Sequence, residues 1–292
     1  MQRLHVHHTT IYHYNKPVYL EPHRLMLRPR DGHDLRLQSA TLNMDPPADL
    51  RYIFDVFGNS VAIATFSGLT EKLVITSDLV IDRFPANQLA IDVEPYAQRL
   101  PFSYPREELP DLGVTLQPHY PDPDRIIVEW ARKWIDNNNP RGGTRGYLEN
   151  LTLGINREFD YVERPEPGVQ PPLDTLVKRS GSCRDYAVLM MEAVRSLGLA
   201  ARFVSGYLYD PSADGAASSV LGAGATHAWV QVYLPGAGWI EFDPTNGIYG
   251  GQNLIPVCVA RQPDQAVPVS GTYRGAPEDF SAMQVSVEVR AA

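Results

Sequence analysis

Seven prolines between residues 95 and 123 constrain this chain more than any other feature. Pro95, Pro101, Pro105, Pro110, Pro118, Pro121 and Pro123 each fix φ and lack an amide hydrogen, so no long helix or central strand can run through them. The chain is expected to divide here. Tyr96, Phe102, Tyr104 and Leu112 interleave the prolines, which predicts an ordered linker over 96–123 packed on both neighbours. At 292 residues the length also exceeds one typical domain.

The two sides differ in texture. Residues 1–95 read as a β-rich, all-β sandwich-like domain. "LHVHHTTIYHY" (4–14) and "EKLVITSDLVI" (71–81) are rich in β-branched and aromatic residues, while Gly58-Asn59 and Asp31-Gly32 supply turns. Beyond the prolines, helical periodicity starts at "DPDRIIVEWARKWIDNNN" (122–139), with Asp124 as expected N-cap. A second helix is predicted over 147–159 and a third over 183–197, stopped by Gly198. Strands follow at 201–209, 226–234 and 238–245, and the tail "MQVSVEVR" (283–290) reads as a strand needing a partner. Helices followed by antiparallel strands predict an α+β core over 124–260, with 261–292 as a C-terminal return strand.

The third helix opens on "GSCRDY", with one of only two cysteines in the chain. A thiol at a helix start faces unsatisfied amide hydrogens and the positive end of the dipole, which favours thiolate. The same N–H groups can receive a developing oxyanion. His227 begins the strongest alternating strand, sharing a face with Trp229, Gln231 and Tyr233, and is expected to look into a groove shielded by Trp229. Asp243 ends the next strand. If an even loop at 235–238 joined these strands, Val230 would pair with Asp243, placing the acid on the face opposite His227. An odd loop or a bulge sets His227 and Asp243 diagonally on one face. Each residue alone has an ordinary structural reading: a small buried thiol, a satisfied histidine, a strand-ending Asp-Pro. Together they have the order and element types of a Cys–His–Asp acyl-transfer site.

With those residues in view, "GSCRDYAVLMMEAVRSLGLAARFVSGY", "THAWVQVYL" and "GWIEFDPTNG" resemble the signature blocks of the transglutaminase-like superfamily, of papain-like fold. "YHYNKPVYLEPHRLMLRPR" and "DVFGN" are similar to the β-rich N-terminal domain of its bacterial members, and "VPVSGTYRG" with "MQVSVEV" to their return strand. The resemblance implies Cys183 as nucleophile, His227 as general acid/base and Asp243 as orienting acid. It implies attack on a peptide or protein amide through a thioester, resolved by water (hydrolysis) or by an amine (transglutamination), with no metal or organic cofactor. For a protein of bacterial type, hydrolysis is the favoured outcome. Ser182, Tyr161 and Trp229 are candidates for substrate or oxyanion contacts, Tyr161 also reading as simple packing. Asp185 is expected to be structural, paired with Arg184 or Arg202. No upstream Trp or Gln is placed as a second oxyanion donor.

Two other readings stay open: an arylamine N-acetyltransferase-like enzyme using the same three residue types, and a binding module with an idle site. A formal net charge of −8 argues against nucleic-acid and anionic-membrane partners. No secretory leader and no apolar run of bilayer length stand out, and two cysteines suit a reducing compartment, so the cytoplasm is expected. A Cys183–Cys258 disulfide is the minor alternative. His5 and His7 share a strand face but make a poor metal site without a third ligand. "RGGTRG" (141–146) reads as a loop rimming the site, and the small-residue stretch 208–226 as a mobile lid or specificity loop before His227.

Overall fold

The computed structural model describes residues 1–84, 91–135, 142–164, 166–211, 221, 224–251 and 253–292. Six strands come first: β1 Gln2–Leu20, β2 His23–Arg28, β3 Leu35–Asp45, β4 Ala48–Phe54, β5 Ser60–Phe66 and β6 Leu69–Arg83. After the prolines come helices α1 Leu109–Leu112, α2 Ile126–Arg132 and α3 Gly143–Glu158, then β7 Asp160–Tyr161, α4 Pro172–Lys178, β8 Ser180–Gly181 and α5 Cys183–Ser196. The chain continues through β9 Ala201–Leu208, β10 His227–Leu234, β11 Gly238–Asp243, β12 Ile248–Tyr249 and β13 Leu254–Ala260. It ends with β14 Val269–Ser270, β15 Tyr273–Arg274 and β16 Phe280–Ala291. No helix among the described residues is long and apolar enough to cross a membrane.

Two sheets form the sandwich. One runs β15-β1-β6-β3 with β16 also on β1, and the other runs β14-β2-β5-β4. The tail therefore returns as three strands, all of them into the N-terminal sheets, and β16 pairs antiparallel along β1 from Leu4↔Ala291 to Tyr14↔Phe280. β1 spans about 60 Å at the usual rise per residue, and its two halves face different cores. Tyr14, Val18 and Leu20 pack with Leu25, Leu27, Ala64 and Ile75 between the two sheets. Leu4 and Val6 pack instead, with Leu79 and Ile81, against Tyr207, Tyr209, Ile255 and Val257 of the following unit. His8 lies on this seam, its Nδ1 3.0 Å from the Tyr207 hydroxyl and its Nε2 2.8 Å from Thr10 Oγ1.

The second unit is α+β, with helices against an antiparallel sheet ordered β12-β11-β10-β9-β13. β13 was not foreseen, because "LIPVCVA" contains a proline that demotes a strand reading. Here it is an edge strand whose ladder shifts register between Pro256 and Cys258. α5 is buried on nearly every side and, besides Asp185 at its start, carries Glu192 and Arg195 inward. Glu192 and Arg195 pair at 3.0 Å, Glu192 accepts the amides of His119 and Tyr120, and Arg195 donates to Thr115, Ala201 and Arg261 carbonyls. Those bonds tie the proline-rich linker to the core. Tyr104 and Leu112 are buried there, but Tyr96 stays about half exposed at 49%, so the linker packs less completely than expected.

Two sequence expectations need correction. The α2 amides of Ile126 and Val128 are capped by Asp122, not Asp124, because Arg125 adopts a left-handed conformation that turns the chain before the helix. Described residues 142–146 of the "RGGTRG" stretch are not a loop; they enter α3, with Thr144 buried and its hydroxyl on the Ala97 carbonyl. A Cβ at Gly143 would stand 2.1 Å from the Gln98 carbonyl, so glycine marks a close approach there. Cys183 and Cys258 are both free thiols.

Candidate active site

The site forms where α5 begins. Ser182 is its N-cap and Asp185 its third residue, a capping box in which Asp185 Oδ2 accepts both the amide and the hydroxyl of Ser182 at 2.8 Å. Asp185 Oδ1 takes Arg164 at 2.8 Å and the Gln170 amide at 2.7 Å. Asp185 is structural, as expected, but its ionic partner is Arg164. Arg184 turns instead to the carbonyls of Arg164 and Glu166, and Arg202 stacks on Trp239 and donates to Gln231. With its polar groups spent on the cap, Ser182 is unsuited to the oxyanion contact expected of it. The cap fixes the first turn, and Cys183 is its first residue, 7% exposed. Its own amide lies in the turn that has no acceptor within the helix.

β10 and β11 deliver the other two groups. Their register pairs Leu234 with Gly238 and Val230 with Phe242, leaving an odd, three-residue connection at 235–237. Gly236 supplies the positive φ of 87° that such a loop needs. This register puts Asp243 on the face of His227, and His227 Nε2 lies 2.8 Å from Asp243 Oδ2, both side chains fully buried. Nδ1, the other ring nitrogen, has no hydrogen-bond partner. Burial alone would depress the imidazole, but Asp243, through charge and hydrogen bond, and then Cys183 outweigh it and raise its pKa. Burial would likewise raise Asp243, yet His227, the Asn246 amide and the Thr245 N–H hold it below the usual carboxylate range.

Trp229 does not shield an open groove. It is fully buried, stacked on His227 with ring centroids 5.9 Å apart, and packed with Val204, Leu208, Leu254 and Val259. Both faces of β10 are covered, one by α5 and the other partly by Phe57 from the β4–β5 turn of the sandwich. Trp229 is thus a floor under the imidazole and is out of reach of substrate. Gly206, opposite His227 in the ladder, makes room for it: a Cβ there would stand 2.7 Å from the indole and 2.2 Å from the Ile255 carbonyl. The β4–β5 turn is held by Asn59, whose side-chain amide exchanges hydrogen bonds with the backbone of Val259 at 2.7 and 2.9 Å.

Tyr161 stands in β7, paired in parallel with β8 just ahead of Cys183. Burial, and then the charge of Cys183, push its phenol up, so it stays protonated. The upstream amide of Gln170 is committed to Thr175 and Ser180. Sequence reasoning missed Thr245 and Asn246, which donate to Asp243 at 2.9 and 3.0 Å. A local signal for them exists, because Asp followed by Thr-Asn-Gly is turn chemistry in which an Asp side chain collects amides. Most of the 208–226 stretch lies outside the described residues. On the sandwich, His5 and His7 flank Asp78, at 3.7 and 2.6 Å.

Comparison with known proteins bears on the family and the fold. Residues 131–244 match the model of the transglutaminase-like superfamily, and residues 4–82 that of the bacterial transglutaminase-like N-terminal region. An uncharacterized protein of Mycobacterium tuberculosis is 29% identical over 299 residues, covering 98% of this chain and 92% of that protein. A protein-glutamine gamma-glutamyltransferase of Pseudomonas aeruginosa is 36% identical over 89 residues, 30% of this chain and 13% of that protein. A crystal structure from Cytophaga hutchinsonii, provisionally described as a cysteine protease, superposes with a TM-score of 0.71 at 18% identity, over 100% of this chain and 91% of that one.

Proposed function

Since the chain belongs to the transglutaminase-like superfamily, we propose that it is a cysteine-dependent acyl-transfer enzyme acting on a peptide or protein amide. The observation that carries this reading is the buried His227–Asp243 pair at 2.8 Å, its second ring nitrogen unpartnered, with Cys183 among the groups acting on the ring. The thiolate of Cys183 attacks the amide carbonyl, and the negative oxygen meets the amide at the start of α5, with the Tyr161 hydroxyl as second donor. The imidazolium of His227 gives its proton to the departing nitrogen, the C–N bond breaks, and a Cys183 thioester remains. Neutral His227 then takes a proton from the incoming water or amine as it attacks, the sulfur leaves, and the ion pair is restored. Asp243 holds the ring in one orientation throughout.

The test is intact-mass trapping of the acyl-enzyme with a panel of glutamine and amide peptides, with Cys183→Ala as control. A mass increase on Cys183, lost in the control, is expected. Release as free acid indicates hydrolysis, and release as a conjugate with an added primary amine indicates transglutamination. No adduct with any substrate, together with iodoacetamide labelling of Cys183 at pH 6 that is unaffected by His227→Ala, would sink the reading in favour of an idle site.

A further inference from the structure

Asn246 follows β11, and the mechanism above leaves it unused. Its amide is fully committed. One Nδ2 hydrogen donates to Asp243 Oδ2 at 3.0 Å and the other to the Leu221 carbonyl at 3.1 Å, while Oδ1 accepts the Leu221 amide at 3.0 Å. Nδ2 also lies 3.5 Å from His227 Nε2, and the Asn246 backbone amide points at Asp243 Oδ1 from 3.4 Å. One side chain therefore touches the carboxylate, abuts the imidazole and grips both backbone groups of a residue that precedes His227. Farther along, the Gly224 carbonyl accepts the amide of Val287 on β16 at 2.9 Å. Leu221 is thus pinned to the site, and Gly224 to the sandwich.

No other residue type fits this pattern at this reach. Aspartate would lack both donors and set a second carboxylate beside Asp243, serine has a single donor, and glutamine is one carbon too long. Fixing the acid requires both oxygens to be held. Oδ1 is held by the Thr245 amide, and Oδ2 by His227 and Asn246 together.

We infer that Asn246 is a positioning residue that couples the placement of Leu221 to the orientation of the His227–Asp243 pair. The inference rests on the acyl-transfer reading for its effect on turnover, but the coupling itself belongs to the resting protein. Among the described residues, the titratable groups acting on the ring are Asp243 on β11 and Cys183 on α5, and Tyr161 on β7 acts on both of those in turn.

The test uses the full chain and needs no substrate. The His227 ring nitrogens are titrated by NMR in wild type, Asn246→Ala and Leu221→Pro, and hydrogen exchange is followed at the Leu221 amide and, as a fold control, along α5. Loosening the pair lets the ring lose its carboxylate, so the His227 midpoint should fall by about one pH unit in Asn246→Ala and by less, in the same direction, in Leu221→Pro. Exchange at Leu221 should quicken at least tenfold in Asn246→Ala while α5 stays protected. A midpoint that rises in Asn246→Ala and stays put in Leu221→Pro would reduce Asn246 to a charge-tuning neighbour and overturn the coupling. Unchanged midpoints in both would overturn it as well. Failure of the wild type to form acyl adducts leaves these readouts standing, so the two failures are separable.

Discussion

His227 owes its charge to its neighbours, and this makes its chemistry predictable. A buried imidazole on its own would be neutral at pH 7; with Asp243 alongside, its pKa is raised. The ring proton that the proposed step hands to the leaving nitrogen is therefore present through neutrality and lost only as pH climbs through the raised value. In Asp243→Asn that support is gone, so the alkaline limb of kcat/KM should move to lower pH and the rate at pH 8 should fall at least 100-fold, measurable once a substrate is found. Gly206→Ala should act from behind the ring. With the Ile255 carbonyl and the indole in the way, the backbone must shift, at a cost of about 2–4 kcal/mol in a denaturant melt. That Cys183 opens a helix, His227 opens a strand and Asp243 ends the next was legible in the sequence, because turn residues and alternation mark those boundaries. Trp229 was misplaced because alternation shows which residues share a face and not what covers it. Asn246 and Arg164 were not singled out because a polar side chain's partner is chosen by the packing of distant segments.

The N-terminus of α5 shows how one element prepares its first residue. Asp185 is fully buried and serves Ser182, Gln170 and Arg164 at once. Asp185→Asn keeps the volume but removes the charge from the pair, leaving the Arg164 guanidinium, 21% exposed, with only the longer contact to Glu166 at 3.8 Å as counter-ion. A loss of about 2–4 kcal/mol is expected, seen as a lower melting temperature together with altered iodoacetamide reactivity of Cys183. An unchanged melt would mean that the cap is not what fixes the turn. The start of α5 could be read from Gly-Ser-Cys and its stop from Gly198. α2 was less legible: two aspartates stand within reach of its start, and only the left-handed turn at Arg125 decides that Asp122 caps it.

At the scale of the whole molecule, the seam between the sandwich and the α+β unit is set to weaken in acid. Burial, and then the neighbouring His7, push His8 down to about 4. The unfolded chain takes up that proton near pH 6.5 and the folded chain does not, so stability is lost as pH falls from about 6.5 towards about 4, by at most roughly 3 kcal/mol. Replacing His8 with Gln should flatten that part of the stability–pH curve, and an unaltered slope would assign acid sensitivity elsewhere. Asn59→Ala should weaken the same junction by about 2–3 kcal/mol, because both backbone groups of Val259 lose their partner. The change of texture at the prolines was legible, but the seam was not, since nothing local says that one strand serves two cores. That shared strand bears on how the protein can be handled. A fragment beginning after the prolines would bare Tyr207, Tyr209, Ile255 and Val257 to water, and a fragment ending before them would lose β14, β15 and β16 from its sheets. Excising the α+β half for expression, or grafting it onto another carrier, should yield precipitate unless that oily strip is first rewritten.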